Sequence, residues 1–194
     1  MRTRWCTRVC VLIILILPIV AEGASIFEDN FEAGNLNKWS AMSGNWTTVA
    51  SSASAHEGTR GLNIQGNTDP DEDVLTVHLS TIGYPNLGLR YWAKARDGLE
   101  VGDTVTVEWS LDAAIWHQLA NYTNLPTGEW FQENFPLPAE ALNTEIDLRF
   151  RATLGGATDR MNFDEIMISS DPVPEPSGLV LVGLLSPFLI RRKR

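Results

Sequence analysis

The chain has 194 residues, 15 Lys and Arg against 24 Asp and Glu, a formal net charge of −9 and 44% hydrophobic residues. That length allows one ordinary domain with a sizeable core, and the acidic balance excludes nucleic acid and anionic lipid as natural partners. The only cysteines, Cys6 and Cys10, stand at the extreme N-terminus, so disulfides and thiolate metal sites are excluded from everything that follows.

In chain order, Arg2, Arg4 and Arg8 lead into an apolar run over residues 9–20, and Ala21 and Gly23 follow as small residues two apart. A basic start, a short apolar run and a small-x-small site predict a secretory signal peptide over 1–23, cut between Gly23 and Ala24. The run is short for a membrane span of about 20 residues, which favours cleavage over a retained anchor. A folded domain over 24–171 comes next. At the far end, Pro172, Pro174 and Pro176 stiffen the chain, residues 178–190 are apolar, and Arg191, Arg192, Lys193 and Arg194 close it. Lys and Arg placed there would hold an apolar segment at the cytoplasmic face of a membrane. The apolar run is shorter than the roughly 17–25 residues of a comfortable span and contains Pro187. Four solvated cations at its end nevertheless argue against a buried core helix. Without both ends the domain keeps eight basic and 22 acidic residues, a net of −14. That charge suits solubility, divalent cations and neutral glycans.

Within the domain the pattern is of strand type. Val105, Val107 and Trp109 alternate with Thr104, Thr106, Glu108 and Ser110; Leu87, Leu89, Tyr91 and Ala93 alternate with Gly88, Arg90, Trp92 and Lys94. Ile146, Leu148 and Phe150 alternate with Asp147, Arg149 and Arg151. Period-two alternation marks antiparallel strands with one dry and one wet face. Further strands are expected near 26–31, 46–49, 61–64, 74–79, 117–122, 130–136 and 163–169, and one helical turn over 139–142. Ten strands without an amphipathic helix predict an all-β, antiparallel sandwich or barrel.

Several residues then stand out. In the first strand Asp29 shares parity with Phe27 and Phe31; in the last, Asp164 shares parity with Ile166 and Ile168. Both carboxylates are expected to point inward, or at least toward the sheet edge, where burial is costly unless a cation, an arginine or a turn's amides meet them. Arg149, Arg151 and Arg160 are the candidate arginines. Trp92 lies on the face opposite Tyr91, beside Arg90 and Lys94, where an indole can stack on a sugar ring while its neighbours bond hydroxyls. Alternatively it lies under a loop or faces the second sheet. The acidic run Asp69, Asp71, Glu72 and Asp73 lacks the glycine and glutamate of a calcium loop, with Val74 and Ser80 in those places, and reads as a solvated loop. Ser110, Asp112 and Trp116 are expected to scaffold a hairpin, the Asp capping turn amides. His56, His78 and His117 show no catalytic spacing and no serine sits in a nucleophile elbow, so no enzyme is expected.

Two resemblances sharpen this. Residues 29–34, Leu36, Trp39, residues 58–62, 89–92, 107–112, 148–151 and 163–166, in that order, resemble the jelly-roll sandwich of MAM-like and carbohydrate-binding-like extracellular modules, without the MAM cysteines. The resemblance implies that the first and last strands meet and hold a structural Ca²⁺ near their junction, with Asp29, Glu32 and Asp164 as candidate ligands. It also implies glycan binding, with Trp92 and Arg90 as candidate contacts. Over the last 23 residues, Val173, Pro174, Glu175 and Pro176, the apolar segment and the basic end resemble a PEP-CTERM sorting domain. That implies processing by an exosortase, which reads Pro174, Glu175 and Pro176, and a short transmembrane helix stopped by residues 191–194. The combined expectation is a non-catalytic surface or matrix protein of a diderm bacterium, its partners an exosortase, exopolysaccharide and, before processing, the membrane. The alternatives are a purely structural or adhesive matrix component and a glycan-active enzyme.

Overall fold

The computed structural model of the protein describes residues 24–67 and 72–170. The expected leader and C-terminal helices, the sorting residues and the basic end lie outside the described residues.

Among the described residues there are eleven strands: β1 (Ser25–Asp29), β2 (Ala41–Ser43), β3 (Thr47–Ala50), β4 (Arg60–Gln65), β5 (Asp73–Ser80), β6 (Gly88–Ala95), β7 (Thr104–Ser110), β8 (His117–Tyr122), β9 (Phe131–Pro136), β10 (Glu145–Thr153) and β11 (Arg160–Ser169). A single 3-10 turn covers Ala139–Ala141, where one helical turn was expected. Ten strands follow the sequence pattern. The eleventh, β2, has three residues that are all exposed, so no dry face writes an alternation into it. It pairs with β5 with Ala41 opposite Thr76 and Ser43 opposite Val74, and the Ser43 hydroxyl also accepts the Val74 N–H.

The strands form two antiparallel sheets. The first runs β3-β4-β11-β6-β9, with β1 also pairing β11; the second runs β2-β5-β10-β7-β8. Their inner faces meet over a core centred on Phe150. Its ring lies 5.0 Å from Phe163, 5.5 Å from Tyr91, 5.8 Å from Trp39 and 6.4 Å from Trp46, in edge-on geometry each time. Edge-to-face contacts suit aromatic quadrupoles. Trp109 is buried, as its parity required. The Tyr91 and Tyr122 hydroxyls meet at 2.7 Å, and Tyr122 Oη also lies 3.3 Å from a Glu133 carboxylate oxygen, so buried polar tips find partners within the core. Burial pushes both phenols above their ordinary range.

One irregularity decides the functional face. Along β11, Asp164 pairs with Trp92 and Met167 with Arg90, so one extra residue is inserted between these pairs. Glu165 takes the left-handed conformation, φ 49°, that such a bulge requires. Because of the extra residue, Phe163 and Ile166 both enter the core, and Asp164 shares the outer face with Trp92. The inward direction expected for Asp164 is therefore corrected: it is buried, at 0% exposure, but beneath a loop on the outside of the sheet. Asp29 does point inward, pairing with Ile166 at the end of the core, 2% exposed. The bulge also marks where β11 changes neighbour on one side, from β4 at residues 160–163 to β1 at residues 166–169.

Candidate functional site

The loop between β3 and β4 (residues 51–59) folds over the outer face of the first sheet. A Cβ on Gly61 would lie 1.8 Å from the Ser54 carbonyl oxygen, so only glycine allows this approach. Three carboxylates fix the surroundings. Asp164 Oδ2 accepts the main-chain N–H groups of His56 (2.7 Å) and Glu57 (3.3 Å), and its Oδ1 accepts that of Glu165 (2.8 Å). Burial raises the Asp164 carboxyl above its ordinary range, against the pull of these amides. Glu32 accepts the N–H groups of Thr59 (2.7 Å) and Arg60 (2.6 Å) and the Thr59 hydroxyl (2.8 Å), and those bonds hold it below the ordinary range. Asp29 accepts Phe31 N–H and the Trp39 indole N–H, each at 3.0 Å.

These three are the residues expected to bind calcium, and each is hydrogen-bonded within the protein. Among the described residues they form no common cluster of ligand atoms; the cluster that exists is His56, Glu57 and Glu165. The arginine alternative fails, since Arg149 and Arg151 bind Glu108 and Arg160 faces Asp97. Main-chain amides meet Asp164, while Asp29 is met by the Phe31 amide, the Trp39 indole and, at 3.9 Å, Lys38 Nζ.

The loop delivers His56 onto Trp92. Their rings stack at 3.8 Å and 12°, and the Trp130 ring meets His56 edge-on at 5.7 Å. Lys94 Nζ stands 5.9 Å from the Trp130 centroid. Trp92 thus lies partly under a loop, yet it also lines a cavity of about 150 Å³ with Glu28, Asn30, Arg90, Gln132, Glu165 and Met167. Register explains this company. Gln132 is opposite Trp92, Met167 is opposite Arg90, and Glu28 is opposite Met167, so four strands deliver two adjacent cross-strand rows to the same face. The volume is below the roughly 300–1,000 Å³ of drug-sized pockets. Carboxylate, amide and guanidinium groups stand around a single indole there. The expected pair, Trp92 and Arg90, is therefore brought together. His56, Glu165, Gln132, Glu28 and Trp130 were missed; Gln132 and Glu28 are readable from strand parity in hindsight, His56 and Glu165 are not.

The outer face of the second sheet is different in kind. Glu108 receives Arg149 Nε at 2.7 Å and Arg151 Nε at 3.1 Å; Arg151 also reaches Glu72 at 3.0 Å, and the Arg149 guanidinium lies 3.8 Å above the Trp116 ring. Its charges satisfy one another, which is scaffolding. The hairpin behaves as expected too: Asp112 accepts the N–H groups of Ala114 and Ile115, both at 2.9 Å. Burial pushes the Glu108 carboxyl up, but the hydrogen bonds from Arg151 and Arg149 outweigh it, and the group lies below its ordinary value of 4.5. A lowered folded value means that the stabilisation is complete above about pH 4.5 and lost as pH falls through the folded value. The melting temperature of Glu108→Gln should therefore lie below that of the natural protein at pH 7, and the gap should close below pH 4.5. A gap that does not narrow as the pH falls below 4.5 contradicts this account.

No protein-family model and no curated protein sequence matches the chain. Its backbone is similar to several solved domains. TmCBM61 in complex with beta-1,4-galactotriose superposes with a TM-score of 0.55 at 16% identity, covering 73% of this chain and 94% of that one. The CBM22-1 xylan-binding domain of Paenibacillus barcinonensis Xyn10C gives 0.54 at 14% identity, covering 76% and 95%. The K3 cleaved adhesin domain of Lys-gingipain from Porphyromonas gingivalis w83 gives 0.53 at 16%, covering 77% and 100%. At these identities the likeness shows the fold: a β-sandwich of the kind found in carbohydrate-binding modules and cleaved adhesin domains.

Proposed function

We propose that the protein is an exported, non-catalytic glycan-binding module whose sugar contact is the Trp92 cleft. The observation that carries the reading is one half-buried indole sharing a cavity with Arg90, Gln132, Asn30, Glu28 and Glu165 on an outer sheet face. An indole offers a sugar's apolar face a flat partner, and the amide, guanidinium and carboxylate groups pair with its hydroxyls. The fold likeness to modules described with galactotriose and xylan supports a glycan as the ligand class. In this reading the leader exports the chain, and an exosortase reads Pro174, Glu175 and Pro176 while residues 191–194 hold the tail at the membrane. The mature domain then stays at the cell surface or in exopolysaccharide.

The test is a glycan array followed by calorimetry on the best polysaccharide. Trp92→Ala should weaken binding by about tenfold or more, equivalent to about 1.4 kcal/mol, with an unchanged circular-dichroism spectrum. Failure to bind any glycan would leave the structural or adhesive matrix role as the better reading. Glu28 and Glu165 face the same cavity, and paired carboxylates are what glycoside hydrolysis uses. Release of reducing sugar from a bound glycan, lost in Glu165→Gln, would replace the binding module by an enzyme. For the tail, Glu175→Ala should leave the C-terminal segment attached in an exosortase-bearing host.

A further inference from the structure

The geometry points to a divalent transition-metal site formed by His56, Glu57 and Glu165 at the rim of the Trp92 cleft. The three residues come from two segments 108 residues or more apart in sequence, and their ligand atoms all lie within 4.8 Å of one another. His56 Nδ1 and Glu165 Oε2 are 2.6 Å apart. A histidine and one glutamate would make an ordinary hydrogen-bonded pair. Glu57 breaks that explanation, because it brings a second carboxylate to the same point, in a domain already strongly acidic. A divalent cation held among these three ligand atoms would offset the mutual repulsion of the two carboxylates.

The supporting groups are fixed from outside the cluster. The buried Asp164 carboxylate pins the main-chain N–H groups of His56 and Glu57 on one side and Glu165 on the other. The His56 ring plane is clamped by Trp92 and edged by Trp130. These contacts limit how far the loop backbone and the His56 ring can move. An imidazole with two carboxylates is a nitrogen–oxygen donor set, which suits Zn²⁺ and its neighbours better than Ca²⁺. Bonds of about 2.0–2.2 Å place tetrahedral ligand atoms about 3.3–3.6 Å apart. The present spacing reaches that by small side-chain rotations. Three protein ligands leave a coordination position open. Glu165 also lines the cavity, so the cluster stands at its rim. The site stands whether or not the cleft binds glycan.

The test is calorimetric titration of the metal-stripped exported protein with Zn²⁺, repeated with Co²⁺ while the visible absorption is followed. One equivalent should bind, with Co²⁺ bands of low-coordinate nitrogen–oxygen ligation. His56→Ala and Glu57→Gln should each weaken Zn²⁺ binding tenfold or more. Glu57 is exposed, so that variant tests the site without disturbing the fold. His78→Ala should change nothing, since His78 faces Asp147 and Glu145 on the other sheet. Absence of saturable binding, or binding unaffected by His56→Ala and Glu57→Gln, overturns the assignment. So does binding that His78→Ala abolishes.

Discussion

Asp164→Ala should destabilise the domain by roughly 2–5 kcal/mol and detach the loop that carries His56. Hydrogen bonds to a charged acceptor contribute about 1.5–3 kcal/mol each in net terms, and buried donors left without acceptors add their own desolvation penalty. Asp164 accepts three main-chain amides at a site that water does not reach. The lower figure reflects the cost of burying the charge, which removal relieves. Asp164→Asn should lose less, since its one carbonyl oxygen can still accept the His56 and Glu57 amides. Equilibrium denaturation gives the stability. Amide hydrogen exchange at His56 and Glu57 gives the loop, and should accelerate far more than exchange in β10. Uniform acceleration across the sandwich would mean that Asp164 is merely a core residue and not the anchor of this loop. Ligand binding should fall with the loop, because His56 forms part of the wall over Trp92.

Phe150→Ala should destabilise by about 3–5 kcal/mol, the range for emptying a buried aromatic position. Phe150 is fully buried and touches aromatic rings contributed by the first sheet (Tyr91, Phe163) and by the segments flanking β2 (Trp39, Trp46). No smaller neighbour can collapse into the space without breaking one of these edge contacts. For a domain of this size that loss lowers the melting temperature by roughly ten degrees or more. Phe150→Leu should recover much of it, because most of the volume returns. Equal losses for Ala and Leu would show that the ring contacts, and not the filled volume, hold the sheets together. Neither variant should change the chemistry of the Trp92 face, which lies on the other side of the first sheet.

The two variants divide the molecule in a way that its sequence only half reveals. The sandwich is legible in alternation: the residues that alternate in 104–110, 87–93 and 146–151 became β7, β6 and β10, and the burial of Trp109 followed from parity alone. Trp92 and Arg90 were legible for the same reason, since strand parity puts them on one outer face. β2 was not, because an edge strand wet on both sides carries no pattern. Asp164 shows where parity fails. A single inserted residue reverses every direction beyond it, and Glu165 adopts its left-handed turn without a glycine or asparagine to announce it.

Sequence by itself therefore determined the class of fold, the inner and outer faces of the long strands, and the Trp92 and Arg90 pair, because a period of two is a local property of the chain. Only the tertiary structure decided which carboxylates are satisfied by amides and which cluster with a histidine. Those outcomes depend on residues such as His56 and Glu165, 109 positions apart, meeting across a loop and a bulge. Contact at that separation is set by how the sheets close, and nothing in the local pattern of either segment encodes it.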